Sequence, residues 1–162
     1  MTAHRSLTYR WMVLVASITI LTSCAHDTYQ ERANMIKNHA DAFYGNLKAN
    51  RVESAIRANE QIEAMASQMA DTVRKQAAQQ GTTYAEREFA LMGTANETAA
   101  TNWLALGQYF SIKRQYAQAR ATYRRVIDTY TNSTDKPYRE QALRALKDLD
   151  LLPPQASTKT TP

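Results

Sequence analysis

The chain has 162 residues, a formal net charge of +5, one cysteine, four glycines and four prolines. Its length suits one domain with a sizeable core, and its abundant Ala, Gln, Arg, Lys, Glu, Met and Leu favour helices. Without residues 1–23, 18 basic and 15 acidic side chains remain, with no dense basic block, which argues against a nucleic-acid partner. No proline lies between Cys24 and Lys136. The composition therefore predicts an all-α fold rather than a largely β one.

The first segment has the organisation of a secretory signal peptide. Arg5 and Arg10 precede an apolar run over residues 11–21, which is shorter than the roughly 20 residues that a membrane-spanning helix needs. The alternative is a buried helix of the domain. Polar sequence follows abruptly at His26 and Asp27, which favours the signal peptide.

The end of this segment is more specific. Leu21, Thr22, Ser23 and Cys24 resemble the bacterial lipobox, an apolar residue and two small ones before a cysteine. The resemblance implies that residues 1–23 are removed, that Cys24 is acylated on its thiol and its new amine, and that residues 24–27 form the lipidated N-terminus. Two or three acyl chains, palmitate among them, make a stable membrane anchor. The alternative for Cys24 is a chance buried thiol.

By the sorting rule of that family, Ala25 after the cysteine implies the outer membrane, with the domain facing the periplasm. With its cysteine acylated, the mature chain can form no disulfide, so its stability has to come from packing.

Residues 28–99 are predicted to form helical hairpins. Asp27, Asn50 and Thr83 each precede a Gln or Glu by three residues, as in a capping box. Residues 35–47 carry an apolar stripe at helical spacing, which includes His39. Residues 52–79 contain no helix breaker, so they form either one long helix or parts of two repeats.

The most informative stretch is residues 100–133. Trp103, Leu106, Gly107 and Phe110 fit the first helix of a tetratricopeptide repeat (TPR), and Ala119, Tyr123 and Val126 fit the second. The stretch thus resembles one TPR, a 34-residue helix–turn–helix, with the turn at residues 113–115. Gly107 and Ala119 are small, so the two helices can approach closely there. A generic helical hairpin is the alternative.

A weaker repeat precedes this one. Ala85, Phe89 and Met92 lie 34 residues before Ala119, Tyr123 and Val126, so residues 66–99 are predicted to be a degenerate repeat.

Residues 134–152, with Pro137 in the first turn, are predicted to be a capping helix, and residues 153–162 a disordered tail. The expected fold is a short TPR-like solenoid of antiparallel hairpins with a C-terminal cap.

Catalytic chemistry has no candidate. The sequence has no HExxH, no Cys/His metal spacing, no glycine-rich phosphate loop and no G-x-S-x-G. His39 is predicted to be a partly buried packing residue. We therefore expect neither an enzyme, nor a cofactor, nor a metal site.

Binding has weak candidates. Lys113, Arg120 and Arg124 are the possible partner-binding residues, which would accept an acidic peptide or chain terminus, although a solvated basic face is the alternative. Tyr109, Tyr116 and Tyr130 are either contact aromatics or part of the packing between hairpins.

Lipid anchor and repeats together predict an adaptor that binds an envelope protein or peptide in envelope-assembly, secretion or pilus machinery. The alternative is a self-associating structural or exclusion lipoprotein with a helical spacer domain. An enzyme acting on peptidoglycan or lipid is a third hypothesis. The sequence leaves the partner's identity and the oligomeric state open.

Overall fold

The structure is a computed structural model that describes residues 28–76 and 82–151. This part of the chain contains five α-helices and no strand, which confirms the all-α prediction. It divides into two compact units, one ending at Asn38 and one beginning at His39. The helices are α1 (28–48), α2 (Val52–Gln76), α3 (Thr82–Ile112), α4 (Tyr116–Thr129) and α5 (Lys136–Asp150), with a 3₁₀ turn at Ser133–Asp135.

Helices α2 to α5 form a stack in which each packs against the next. Asn50, two residues before α2, accepts a hydrogen bond from Tyr109 near the end of α3, and Asn59 of α2 bonds to Ala99, so these two helices are antiparallel. A three-residue turn makes α3 and α4 antiparallel in turn, and Arg120 of α4 contacts Leu149 near the end of α5. Because α4 runs against both of its neighbours, α3 and α5 run in the same direction.

Two of the turns are the same motif. Asn50 and Arg114 have φ angles of 55° and 59°, and each follows a helix whose last carbonyls are bonded in the Schellman pattern. Asn50 thus ends α1, and α2 begins two residues later, so the residue before α2 is Arg51 and not Asn50, which the sequence pattern predicted as the cap. The bonds are Arg51 N to Asn46 O at 2.8 Å, Asn50 N to Leu47 O at 3.0 Å, Gln115 N to Phe110 O at 2.8 Å and Arg114 N to Ser111 O at 3.0 Å.

The two turns start equivalent helices. Counted from the turns, Ala55 of α2 corresponds to Ala119 of α4, and Ile62 corresponds to Val126; all four side chains are buried. The position between these two pairs differs, because α2 has Asn59 where α4 has Tyr123. Two equivalent turns, each followed by a helix with buried residues at the same positions, therefore occur 64 residues apart, although one of those positions is an amide in α2 and an aromatic ring in α4.

Two boundaries are decided by the structure. Of the alternatives for residues 52–79, the structure has one helix, which runs from Val52 to Gln76. The sequence comparison placed a repeat boundary between residues 99 and 100, but α3 crosses this point without a break and is 31 residues long. Ala95, Ala99 and Ala100 are buried there, and alanine favours continuing a helix over ending one.

Fewer residues of the apolar stripe on α1 are buried than the sequence pattern predicts. Ile36, Phe43 and Leu47 are buried, His39 is half-buried, and Met35 and Tyr44 are exposed.

The connection between α4 and α5 is a rigid turn. The Asp135 carboxylate is buried and accepts hydrogen bonds from the backbone N–H of Asn132 at 3.2 Å and from its side-chain amide at 3.1 Å. Pro137 follows in the first turn of α5, where its missing N–H costs no helical bond.

Candidate functional site

The seven residues of the predicted repeat lie together in the core between α3 and α4. All seven are buried. The Tyr123 ring of α4 lies directly against the α3 backbone at Gly107, since a Cβ added there would lie 2.5 Å from Cε1 of Tyr123. Glycine is therefore required for the aromatic ring to pack directly on the α3 backbone.

A buried amide pair joins α2 to α3. Asn59 is 0% exposed, and its side-chain amide donates to the Ala99 carbonyl at 3.1 Å. Its carbonyl oxygen accepts a hydrogen bond from the buried Asn102 at 2.8 Å. Because an unbonded buried amide costs stability, this pair selects one register between the two helices.

Glu63 joins three helical segments through one carboxylate. Its Oε1 accepts hydrogen bonds from the indole N–H of Trp103 at 2.7 Å and from the Tyr130 hydroxyl at 2.8 Å. Its Oε2 pairs with Arg125 at 2.8 Å, and the Arg125 guanidinium also lies 4.0 Å from the centre of the Trp103 ring. Burial, the Glu63 charge and the hydrogen bond to Glu63 raise the pKa of Tyr130 well above its usual value.

Sequence analysis missed both Asn59 and Glu63. The available signal was that they share a helical face with the apolar residues Ile62 and Ala66, a position where polar side chains need partners. Together these contacts hold α2, α3 and α4 as a frame for the surfaces described next.

An open groove runs between α3 and α5. It has a volume of about 480 Å³ and follows α3 from Thr101 to Gln108 and α5 from Gln141 to Asp148. Its full lining is Thr101, Leu104, Ala105, Gln108, Tyr123, Gln141, Arg144, Ala145 and Asp148. We call it the α3–α5 groove. Burial raises the pKa of Tyr123, and so does the Asp148 carboxylate, whereas a hydrogen bond with Ser111 acts in the opposite direction.

The three predicted binding residues do not line this groove. Arg120 donates to the Leu149 carbonyl at 2.8 Å and pairs with Asp150 at 3.0 Å, so it ties the end of α5 to α4. The Lys113 ammonium lies 5.6 Å from the centre of the Tyr109 ring, and Arg124 is exposed. The structure therefore gives Arg120 a structural contact and leaves Lys113 and Arg124 on the surface.

The tyrosines divide as well. Tyr130 is buried in the Glu63 contacts, and the half-buried Tyr109 donates from its hydroxyl to Asn50 at 2.9 Å, so both belong to packing between helices. Tyr116 is half-buried at the start of α4.

The lipobox residues Leu21, Thr22, Ser23 and Cys24 lie outside the described residues, as does the tail at 153–162. No helix within 28–76 or 82–151 is long and apolar enough to cross a membrane. Nor does this part of the chain gather three metal-ligating side chains in one place. No protein-family model, curated protein or solved structure significantly matches this chain.

Proposed function

We propose that this protein is a bacterial outer-membrane lipoprotein whose helical domain binds an extended segment of another envelope protein in the α3–α5 groove. Acylation at Cys24 would hold the domain at the membrane, and the domain would act as an adaptor in envelope, secretion or pilus machinery. Support for the anchor is the resemblance of residues 21–24 to the lipobox. Support for the adaptor role is the groove itself.

The observation that carries the binding function is the polar chemistry of the groove. Gln108 and Gln141 line its two walls, and each amide can both donate and accept a hydrogen bond. An extended peptide offers alternating N–H and C=O groups, which such amides can bind whatever the side chains are.

The charged groups of the groove add selectivity. The Arg144 side chain is 70% exposed, and its ion-pair distance to Glu140 is as long as 4.0 Å. A peptide carboxylate can replace so weak a contact. Asp148 stands one turn further along α5 and can accept from a donor on the peptide. Since the groove carries one charge of each sign, it suits a polar segment of low net charge.

Site-specific photo-cross-linking in the bacterium tests this proposal. Benzoylphenylalanine is placed at Gln108 or at Gln141, with exposed Gln118 on α4 as the matched control. We expect both groove positions, and not the control, to cross-link to the same envelope protein. Cross-links that are equal at all three positions, or that join two copies of this chain, would contradict the adaptor.

Membrane fractionation tests the anchor separately. The wild type should fractionate with the outer membrane, and Cys24→Ala should move to the soluble periplasmic fraction because it cannot be acylated. If the variant stays with the membrane as the wild type does, acylation is not what anchors the protein.

A further inference from the structure

A second groove continues the α3–α5 groove towards the start of α3. One wall is the α3 face formed by Phe89, Met92, Gly93, Asn96 and Glu97, which are spaced as one helical stripe. The other wall is the turn at residues 132–135 together with Tyr138. We call it the Phe89 groove. Its volume is about 500 Å³, and one helical turn separates Glu97 from Thr101, where the α3–α5 groove begins.

The floor of this groove is apolar and partly empty. Phe89 is 61% exposed, although a large aromatic side chain gains free energy when it is buried. A Cβ added at Gly93 would meet nothing within 4 Å, so there is free space between Phe89 and Glu97. That space suits one large apolar side chain from outside.

The opposite wall is firm. The capping box of the turn holds the Asp135 carboxylate in place, and burial together with the Glu97 carboxylate raises the pKa of Tyr138. A ligand would therefore meet a preformed surface, which lowers the entropic cost of binding.

The charged side chains on this groove are all acidic. Glu97 and Asp135 line it, and no described lysine or arginine does. Of the two basic residues that follow the turn, Arg139 is bonded to the backbone, and Lys136 makes an exposed contact on its own helix. Lys136 pairs with Glu140 at 3.7 Å, and Arg139 donates to the Thr131 carbonyl at 3.0 Å.

We infer that the Phe89 groove binds a basic segment of a partner protein, with one large apolar side chain seated over Gly93 and flanking lysine or arginine side chains facing Glu97 and Asp135. The inference rests on the proposed function, because the same segment would continue into the α3–α5 groove. From Phe89 to Gln108 the path along α3 is about 28 Å. An extended segment of about eight residues covers that distance.

Peptide selection followed by affinity measurement tests this inference. A random twelve-residue library is selected on the purified full-length chain, and the strongest binder is labelled with fluorescein for anisotropy titrations. We expect this peptide to carry a net positive charge and a large apolar residue. Its binding should weaken as salt is raised, since the Glu97 carboxylate is exposed to solvent.

Variants then locate the peptide. Gly93→Leu fills the free space without touching the core, and Thr94→Leu, on the adjacent exposed position, is the matched control. We expect Gly93→Leu to raise the Kd more than about tenfold, Phe89→Ser and Glu97→Gln to raise it about fivefold each, and Thr94→Leu to leave it within about twofold.

Three outcomes would overturn the inference. The first is that no peptide is enriched, or that the enriched peptides are acidic. The second is a Kd that Gly93→Leu does not change. The third is a concentration-dependent dimer, seen by light scattering, that Gly93→Leu abolishes, because the groove would then hold a second copy of this chain. Cross-links at Gln108 and Gln141 are scored independently, so the proposed function can stand where this inference fails.

Discussion

The contact between Gly107 and the ring of Tyr123 supports a prediction that separates packing from helix propensity. Gly107→Ala adds one methyl group in the interior of α3, where three ring atoms would lie 2.5, 2.7 and 2.8 Å from the new Cβ. Gly93→Ala adds the same group to the same helix, where nothing lies within 4 Å. The two variants differ only in what the methyl group meets.

The expected magnitudes follow from that difference. Each substitution replaces a glycine inside a helix with alanine, and this change in helix propensity alone stabilises the helix by about 1 kcal/mol. At Gly107 the buried Tyr123 ring has to move by about 1 Å to regain an ordinary carbon–carbon distance of about 3.5 Å. Overpacking of this kind costs about 1–3 kcal/mol. We therefore expect Gly93→Ala to raise the free energy of unfolding by about 1 kcal/mol. The free energy of unfolding of Gly93→Ala should be about 1–3 kcal/mol higher than that of Gly107→Ala.

Thermal unfolding of the full-length chain, followed by circular dichroism, measures this difference. For a chain of this size, 1 kcal/mol shifts the midpoint by about 2–4 °C, so a difference of 1–3 kcal/mol should separate the two variants by roughly 2–12 °C. In a Tyr123→Leu background the penalty of Gly107→Ala should largely disappear, because the ring that causes it is gone. The reasoning is refuted if Gly107→Ala raises the midpoint as much as Gly93→Ala does.

Three further predictions concern polar contacts. Glu63→Ala should lower the free energy of unfolding by about 2–4 kcal/mol, because three hydrogen-bond donors lose their acceptor. The control Glu60→Ala, at an exposed position, should lower it by less than about 1 kcal/mol. Urea titrations measure both losses, and equal losses would refute the role of Glu63. The pKa of Tyr130 is raised in the folded state, so as pH rises the tyrosine of the unfolded chain is deprotonated first, and the free energy of unfolding should fall above about pH 10. Urea titrations from pH 7 to 11 should show a smaller fall for Tyr130→Phe. A fall of the same size in the variant and the wild type would contradict the assignment. Arg120→Ala should cost about 1 kcal/mol through its lost bond to the end of α5, while Arg124→Ala should leave the thermal midpoint almost unchanged; a larger loss at Arg124 would exclude this division of roles.

The repeat comparison located contacts better than it located helix ends. It selected Gly107 and Ala119 as small residues at which two helices approach closely, and the structure packs the ring of Tyr123 directly on Gly107. It also placed a boundary at residues 99 and 100. The alanines there carry no information on whether a helix ends, since a helix interior and a repeat junction both accept small residues.

Charge alone was a poor guide to the surface. Arg120 and Arg124 were selected with Lys113 because they are basic and lie one helical turn apart, a spacing that places two side chains on one helical face but does not say what each one bonds to. Arg120 points to the end of α5, which is 29 residues away in the chain. Its partner could be identified only after the packing of α4 on α5 was known.

The sequence by itself determined the helical fold, the turn at residues 113–115 and the identity of the residues that pack α3 on α4. Helix propensity and helical periodicity depend on neighbours within a few positions, so they can be followed along the chain. Only the tertiary structure decided that α3 is continuous, that Asn59 and Glu63 bond to residues about 40 positions away, and that two grooves lie end to end between α3 and the elements packed on it. The contacts and the grooves depend on how helices that are distant in the chain meet, and no pattern within a single helix records that.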